Sequence, residues 1–200
     1  MNTFPTTFTD TYFLDSSTTS GAEQAALQSL AEKGFGIQLG LSTEDVPALQ
    51  ALSVQTSVLK YCPKDCTERF KDLPTIEKWL EKERLVFLLK EKSSGQLAGV
   101  AWTGPGTSSH IPGGKLTGGI RLSEDFQGQG LATPFLTVVL EHTKEKYSRE
   151  QIWFECWQSN AGAVHIYQKL GFKIVETEPS QRLTPHGTFD PDTRIYMKLG

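Results

Sequence analysis

The sequence predicts an α/β (α+β) domain, a mixed central sheet of about seven strands with helices on both faces. Three observations predict it. Segments with apolar residues at every second place are interleaved with segments whose apolar residues recur every three or four. Three strands stand in a row near the middle, which excludes a simple doubly wound sheet. A glycine-rich turn, Gln127 to Ala132, joins a strand to a helix, the setting of an anion site.

Residues 1–20 are rich in Thr, Ser and Phe and have no helical period. Gly21 to Lys33 reads as a helix with Ala25, Leu27, Leu30 and Ala31 apolar, ended by Gly34. Residues 1–34 are therefore expected to form an N-terminal extension with one helix, and 35–200 the main domain. Phe35 to Leu41 is the first strand. Ser42 or Thr43 caps a helix carrying Val46, Leu49, Leu52 and Val54. Cys62-Pro63-Lys64-Asp65 reads as a turn, and Asp72 caps a second helix with Ile76, Trp79 and Leu80.

Leu85 to Lys90 and Gln96 to Trp102 form a hairpin around Ser93-Ser94-Gly95. A Gly/Pro/Ser loop leads to the strand Lys115 to Leu122, with Gly118 and Gly119 inside it. Glycines there mark a bulge or a close approach to the backbone. Leu131 to Tyr147 is a helix and Ile152 to Trp157 a strand. Ser159 or Asn160 caps a helix that runs to Leu170 and ends at Gly171. Phe172 to Glu176 is a strand, a proline-bearing loop follows, and Arg194 to Leu199 is the last strand. From Phe35 onward the expected order is β-α-α-β-β-β-α-β-α-β-β.

Composition narrows the function. Two hundred residues with a formal charge of −3 make a core of ordinary size and lack the cationic excess of a dedicated nucleic-acid binder. Cys62, Cys66 and Cys156 are too few and too oddly spaced for a disulfide framework or a structural zinc, so no metal is expected. No run is apolar enough for a membrane span, and the N-terminus lacks signal-peptide features. A cytoplasmic chain, monomeric or homodimeric, without membrane or nucleic-acid partners, is the expectation.

The chemistry centres on Gln127-Gly128-Gln129-Gly130-Leu131-Ala132, followed by Thr133. Free first-turn N–H groups and the helix dipole favour a phosphate there. A Walker loop needs a Lys followed by Ser or Thr, which is missing. A dinucleotide turn needs three spaced glycines, which are also missing. The pattern Gln127-x-x-Gly130-x-Ala132 instead resembles the pyrophosphate signature of the GNAT N-acetyltransferases. The run Asn160-x-x-Ala163-x-x-x-Tyr167-x-x-x-Gly171-Phe172 resembles the second signature of that family. The resemblance spans roughly Phe35 to Leu199 and is best defined from Lys115 onward. Within it, IWFECWQSNAGAVHIYQKLGF is similar to a segment of the bacterial ribosomal-protein alanine N-acetyltransferases.

The resemblance implies the GNAT fold, acetyl-CoA as co-substrate, and transfer of an acetyl group to a primary amine within a ternary complex. It implies that Gln127, Gly128, Gln129, Gly130, Leu131, Ala132 and Thr133 hold the pyrophosphate. It further implies that Ile120 and Leu122 face the pantetheine arm, that Asn160 and Ala163 touch the cofactor, and that Tyr167 protonates the departing thiolate. Glu155, a charge inside an apolar strand, is the first choice of base, with Glu124 and Asp125 behind it. Strand alternation puts Trp153, Glu155 and Trp157 on one face and Ile152, Phe154 and Cys156 on the other. His110, His142 and His165 read as structural or surface residues, and Trp102, Trp153 and Trp157 as core or pocket wall. The acceptor stays open between a protein N-terminus, a small amine, an amino acid and an antibiotic. The alternatives are a non-catalytic CoA-binding sensor or scaffold, and an unrelated phosphate-binding α/β protein.

Overall fold

The computed structural model describes residues 8, 11–15, 21–147 and 151–200. Its elements are β1 (Tyr12–Phe13), α1 (Gly21–Glu32), β2 (Phe35–Leu39), α2 (Val46–Ser53), α3 (Thr56–Tyr61), α4 (Leu73–Leu80), β3 (Leu85–Glu91), β4 (Leu97–Pro105), β5 (Gly114–Leu122), α5 (Ala132–Tyr147), β6 (Gln151–Trp157), α6 (Ala161–Lys169), β7 (Phe172–Leu183) and β8 (Phe189–Leu199). Among the described residues the strands form one eight-stranded sheet in the order β1-β2-β3-β4-β5-β6-β8-β7. Only β5 and β6 run parallel; the other neighbours are antiparallel.

Apolar alternation divides the core between the two faces. In β3, Leu85, Phe87 and Leu89 face one layer while Val86 and Leu88 face the other, so the strand reads as an unbroken apolar run. The larger cluster joins the sheet to α1 and α5 through Leu27, Leu30, Phe135, Leu136 and Val139. The smaller packs α2, α3 and α4 on the opposite face through Leu49, Leu52, Val58, Ile76 and Trp79. The α1 helix, expected within the N-terminal extension, lies along α5 and shares the main core. Asp72 caps α4 as expected, accepting from Thr75 N at 2.9 Å.

Three expectations are corrected. The sheet gains the short strand β1, paired with β2 through Tyr12↔Leu39 and Phe13↔Gln38; two residues carry too little pattern to be read from sequence. The helix α3 and a π-helical turn, Asp65–Arg69, stand on either side of the expected Cys62 turn. Six residues with one fully buried apolar position, Val58, leave no period to detect. The expected loop after Glu176 is a continuous ribbon, β7 pairing with β8 from Phe172↔Leu199 to Leu183↔Phe189. Its prolines misled because Pro179 lies on an edge strand. Pro191 lies where β8 has run past β6, whose pairing ends at Trp157↔Arg194, so no ladder bond is lost.

Candidate active site

The site begins where the sheet opens. β5 and β6 pair from Gly114↔Gln151 to Thr117↔Trp153 and then stop, although β5 continues to Leu122 and β6 to Trp157. Both strands therefore present unpaired backbone groups across a wedge, Gly118 to Leu122 on one side and Phe154 to Trp157 on the other. Unpaired backbone polar groups need a partner, and an extended ligand can serve as an added strand. Ile120 and Leu122 are half-buried beside this wedge.

At its C-terminal end β5 leads through a 3₁₀ turn, Glu124–Phe126, into the glycine turn before α5. Gly128 and Gly130 take φ values of 75° and 71°, a region open to glycine at no steric cost. A side-chain carbon at Gly128 would meet nothing within 4 Å, so the backbone is open to a ligand. The Gln127 side chain turns back to bond Ser57 Oγ and the Leu122 carbonyl, each at 3.0 Å. Gln129 Nε2 bonds the Asp125 carbonyl at 3.0 Å. Leu131 is buried in the core and anchors the turn, while Ala132 and Thr133 are half-buried at the helix start. Lys33, just beyond α1, donates to the Gln129 carbonyl at 3.0 Å, adding a cation to the turn. These exposed glycines, free helix-start amides and lysine fit a pyrophosphate.

Tyr167 is buried on α6, with its ring edge-on to Phe154 and tilted against Phe172. Burial pushes its hydroxyl above the ordinary tyrosine range, and Arg121 pulls the other way. The hydroxyl has no hydrogen-bond partner among the described residues. Asn160 caps α6, accepting from Ala163 N at 3.2 Å.

Glu155 projects from the face of β6 opposite Tyr167's core and is about half exposed, with Arg194 Nη1 3.7 Å away. Arg194 lies over the Trp157 ring at 3.6 Å. Trp153 joins Ile111 and Tyr196 in a separate small cluster, whereas Ile152, Phe154 and Cys156 enter the main core. The runner-up Glu124 is engaged elsewhere, accepting from Ser57 N at 2.6 Å near the start of α3. Asp125 is exposed beside it. His110 stacks on Tyr196 at 4.1 Å and bonds Glu176 at 2.9 Å, an interaction that raises its pKa. His142 pairs with Glu23 between α5 and α1, and His165 is exposed.

Sequence reasoning passed over Arg121. Its Nε donates to Asp65 Oδ2 at 2.7 Å, and Arg69 holds the other oxygen at 2.5 Å. The signal was available, since an arginine between Ile120 and Leu122 in a strand poses the same question as Glu155. Trp157 Nε1 donates to the Tyr61 carbonyl at 3.2 Å, and Arg182 Nη1 to the Lys60 carbonyl at 2.7 Å. The end of α3 is thereby tied to β6 and the β7–β8 ribbon on the Glu155 face. A cleft of about 440 Å³ lies at the far sheet edge among Phe13, Leu27, Phe35 and Lys90, and includes none of the signature residues.

A family model for the acetyltransferase (GNAT) domain matches residues 39–173. The chain belongs to the GNAT acetyltransferase family. It is 31% identical over 107 residues to a mycothiol acetyltransferase of Saccharomonospora viridis, covering 51% of this chain and 34% of that protein. It is 31% identical over 53 residues to a spermine/spermidine N(1)-acetyltransferase of Bacillus subtilis, covering 26% and 35%. The chain thus spans about a third of the length of the curated relatives it matches. In fold it resembles the spermidine N-acetyltransferase of Vibrio cholerae, solved with CoA and spermine, at TM-score 0.65 and 17% identity over 83% of this chain and 96% of that one. The ribosomal-protein-alanine N-acetyltransferase of Brucella melitensis gives TM-score 0.58 and 20% identity over 80% and 97%. Acetyl-CoA is the co-substrate of this acetyltransferase family, and no helix among the described residues is long and apolar enough to cross a membrane.

Proposed function

We propose that the chain transfers an acetyl group from acetyl-CoA to a primary amine by direct attack within a ternary complex. The observation that carries this reading is the wedge between β5 and β6, flanked by the glycine turn at one end and by Tyr167 and Glu155 on its two sides. Acetyl-CoA, when bound, supplies an activated thioester.

The residues divide the remaining work. The amides of Gly128 to Thr133, with Lys33, hold the pyrophosphate, and the strand end at Ile120 and Leu122 positions the pantetheine arm. The first signature glutamine, Gln127, shapes the turn through its bonds to Ser57 and Leu122. Asn160 and Ala163 present the start of α6 to the cofactor. Tyr167, protonated at neutral pH as any tyrosine is, donates its proton to the leaving sulfur. Glu155, open to solvent on the other face, accepts the amine proton directly or through water; acid–base help of this kind contributes ~10²–10⁴-fold.

The test is thiol release from acetyl-CoA in the presence of mixed amine pools. Release that depends on an added amine supports the reading. CoA binding without release from any pool sinks it in favour of a non-catalytic CoA-binding role.

A further inference from the structure

We infer that the acceptor amine carries its own carboxylate, and that Arg121 and Trp102 receive it above Gly119. This deepens the acetyl-transfer reading and rests on it for the identity of the site.

Trp102 on β4 pairs directly with Gly119 on β5, and Arg121 lies two residues further along the same strand. All three therefore share one face of the sheet. A side-chain carbon at Gly119 would stand 3.0 Å from Arg121 Nη1 and 3.3 Å from Trp102 Nε1. The missing side chain is what lets a guanidinium and an indole N–H converge over one point of the strand. This accounts for a glycine in a position that strand propensity disfavours.

Both donors have capacity to spare. Trp102 Nε1 has no hydrogen-bond partner among the described residues. Arg121 uses Nε on Asp65 and Nη1 on the Ile120 carbonyl at 2.9 Å, with Nη2 at 3.5 Å from Asp65. A guanidinium offers five N–H groups in a planar fork, more than the three bonds that Arg121 makes among the described residues.

The local charge points the same way. Arg69 and Arg84 also approach Trp102, their guanidinium carbons 5.7 Å and 4.5 Å from the ring. Arg69 and Arg121 share the single carboxylate of Asp65. Arg84 donates Nη1 to the Pro105 carbonyl at 3.2 Å, and its Nε is buried without a partner. Three guanidiniums thus surround one indole with one carboxylate bound among them. A partly buried excess of positive charge favours an anion and disfavours a polycation. The planar fork matches the two oxygens of a carboxylate. Glu155, the carboxylate on β6, is next to Arg194 instead.

Position sets the size of the acceptor. Gly119 and Arg121 lie in the stretch of β5 that no longer pairs with β6, so the anion site borders the wedge. A short amino acid, with amine and carboxylate a few bonds apart, suits an anion site that borders the wedge.

The experiment compares acceptors matched for everything except charge. Free amino acids, including glycine, β-alanine and γ-aminobutyrate, are set against their carboxamides and against spermidine, reading thiol release from acetyl-CoA. A second reading follows thermal shift of the CoA-saturated protein with N-acetyl amino acids and with their amides. The free acids are expected to exceed the amides in kcat/KM by about tenfold or more, mainly through KM, with spermidine poorest. Gly119→Ala and Trp102→Phe should erase that preference. Amides or spermidine performing as well as the acids overturn the inference, as does a preference that survives in both variants. If transfer fails with every acceptor yet N-acetyl amino acids alone shift the melting temperature, the anion site stands and the catalytic reading falls. If neither transfer nor shift distinguishes acid from amide, the anion site falls.

Discussion

Tyr167 and Glu155 lie on opposite faces of the same wedge, and each role makes a separable claim. The Tyr167 hydroxyl makes no hydrogen bond among the described residues, while its ring packs on Phe154 and Phe172. Tyr167→Phe should therefore leave the melting temperature and CoA affinity nearly unchanged and lower kcat by on the order of a hundredfold. Steady-state kinetics beside calorimetry checks this, and an unaltered kcat removes Tyr167 from the reaction. For Glu155→Gln the defect in kcat/KM should be largest at low pH, where the acceptor is mostly protonated, and should shrink as rising pH supplies free amine. A pH-independent defect with a lowered melting temperature would instead assign Glu155 to structure, as the partner of Arg194. Tyr167 could be proposed from sequence because its run resembles a family signature, and Glu155 because a charge stands out inside an apolar strand. Arg121 is equally anomalous, but its meaning depends on Asp65 and Trp102, which lie 56 and 19 places away, and no local pattern encodes that meeting.

The glycine turn is an element whose chemistry belongs to its backbone. Gly130 has φ of 71° and sits 3.7 Å, by its missing side-chain carbon, from Lys33 Nζ. Gly130→Glu should strain the turn, place a carboxylate against the lysine and reduce CoA affinity more than tenfold by calorimetry. Lys33→Ala tests the lysine alone. The expected loss is a few-fold in CoA affinity, larger at low ionic strength because the lysine is exposed and screened by salt. Equal affinities at both salt concentrations would confine Lys33 to holding the Gln129 carbonyl. The turn was legible because strand, glycines and helix follow one another in sequence. Lys33 was not, because it arrives from a helix 96 residues earlier. The β7–β8 ribbon shows the opposite failure, for its prolines carry the local signature of a loop. Only the sheet order reveals that those positions have no ladder bond to lose.

At the scale of the whole molecule, the two helical layers are joined to the sheet by different means. The α1–α5 layer is held mainly by apolar burial, with Leu27 and Leu30 each contributing ~1.5–3 kcal/mol. The start of the α2 layer is fixed by a buried polar group. Asp45 accepts from Lys90 at 2.5 Å, and from Gln38, Ser42 N and Ser42 Oγ at 2.8 Å each. Burial alone would raise its pKa, but these bonds outweigh burial and hold the carboxyl below its ordinary value. The sign follows from linkage: a depressed folded pKa contributes stability above the unfolded value, near 3.9, and that contribution is lost as pH falls through the folded value. The wild-type melting temperature should therefore drop as pH is lowered from about 5 towards 3. Asp45→Asn leaves Lys90 without its anionic partner and should cost about 3 kcal/mol at neutral pH. That corresponds to roughly 6–12 °C in a chain of this size. The variant should also show a shallower acid limb, since the titrating group is gone. Thermal melts of both proteins from pH 3 to pH 7 decide the matter, and parallel curves would mean that other carboxylates set the acid stability.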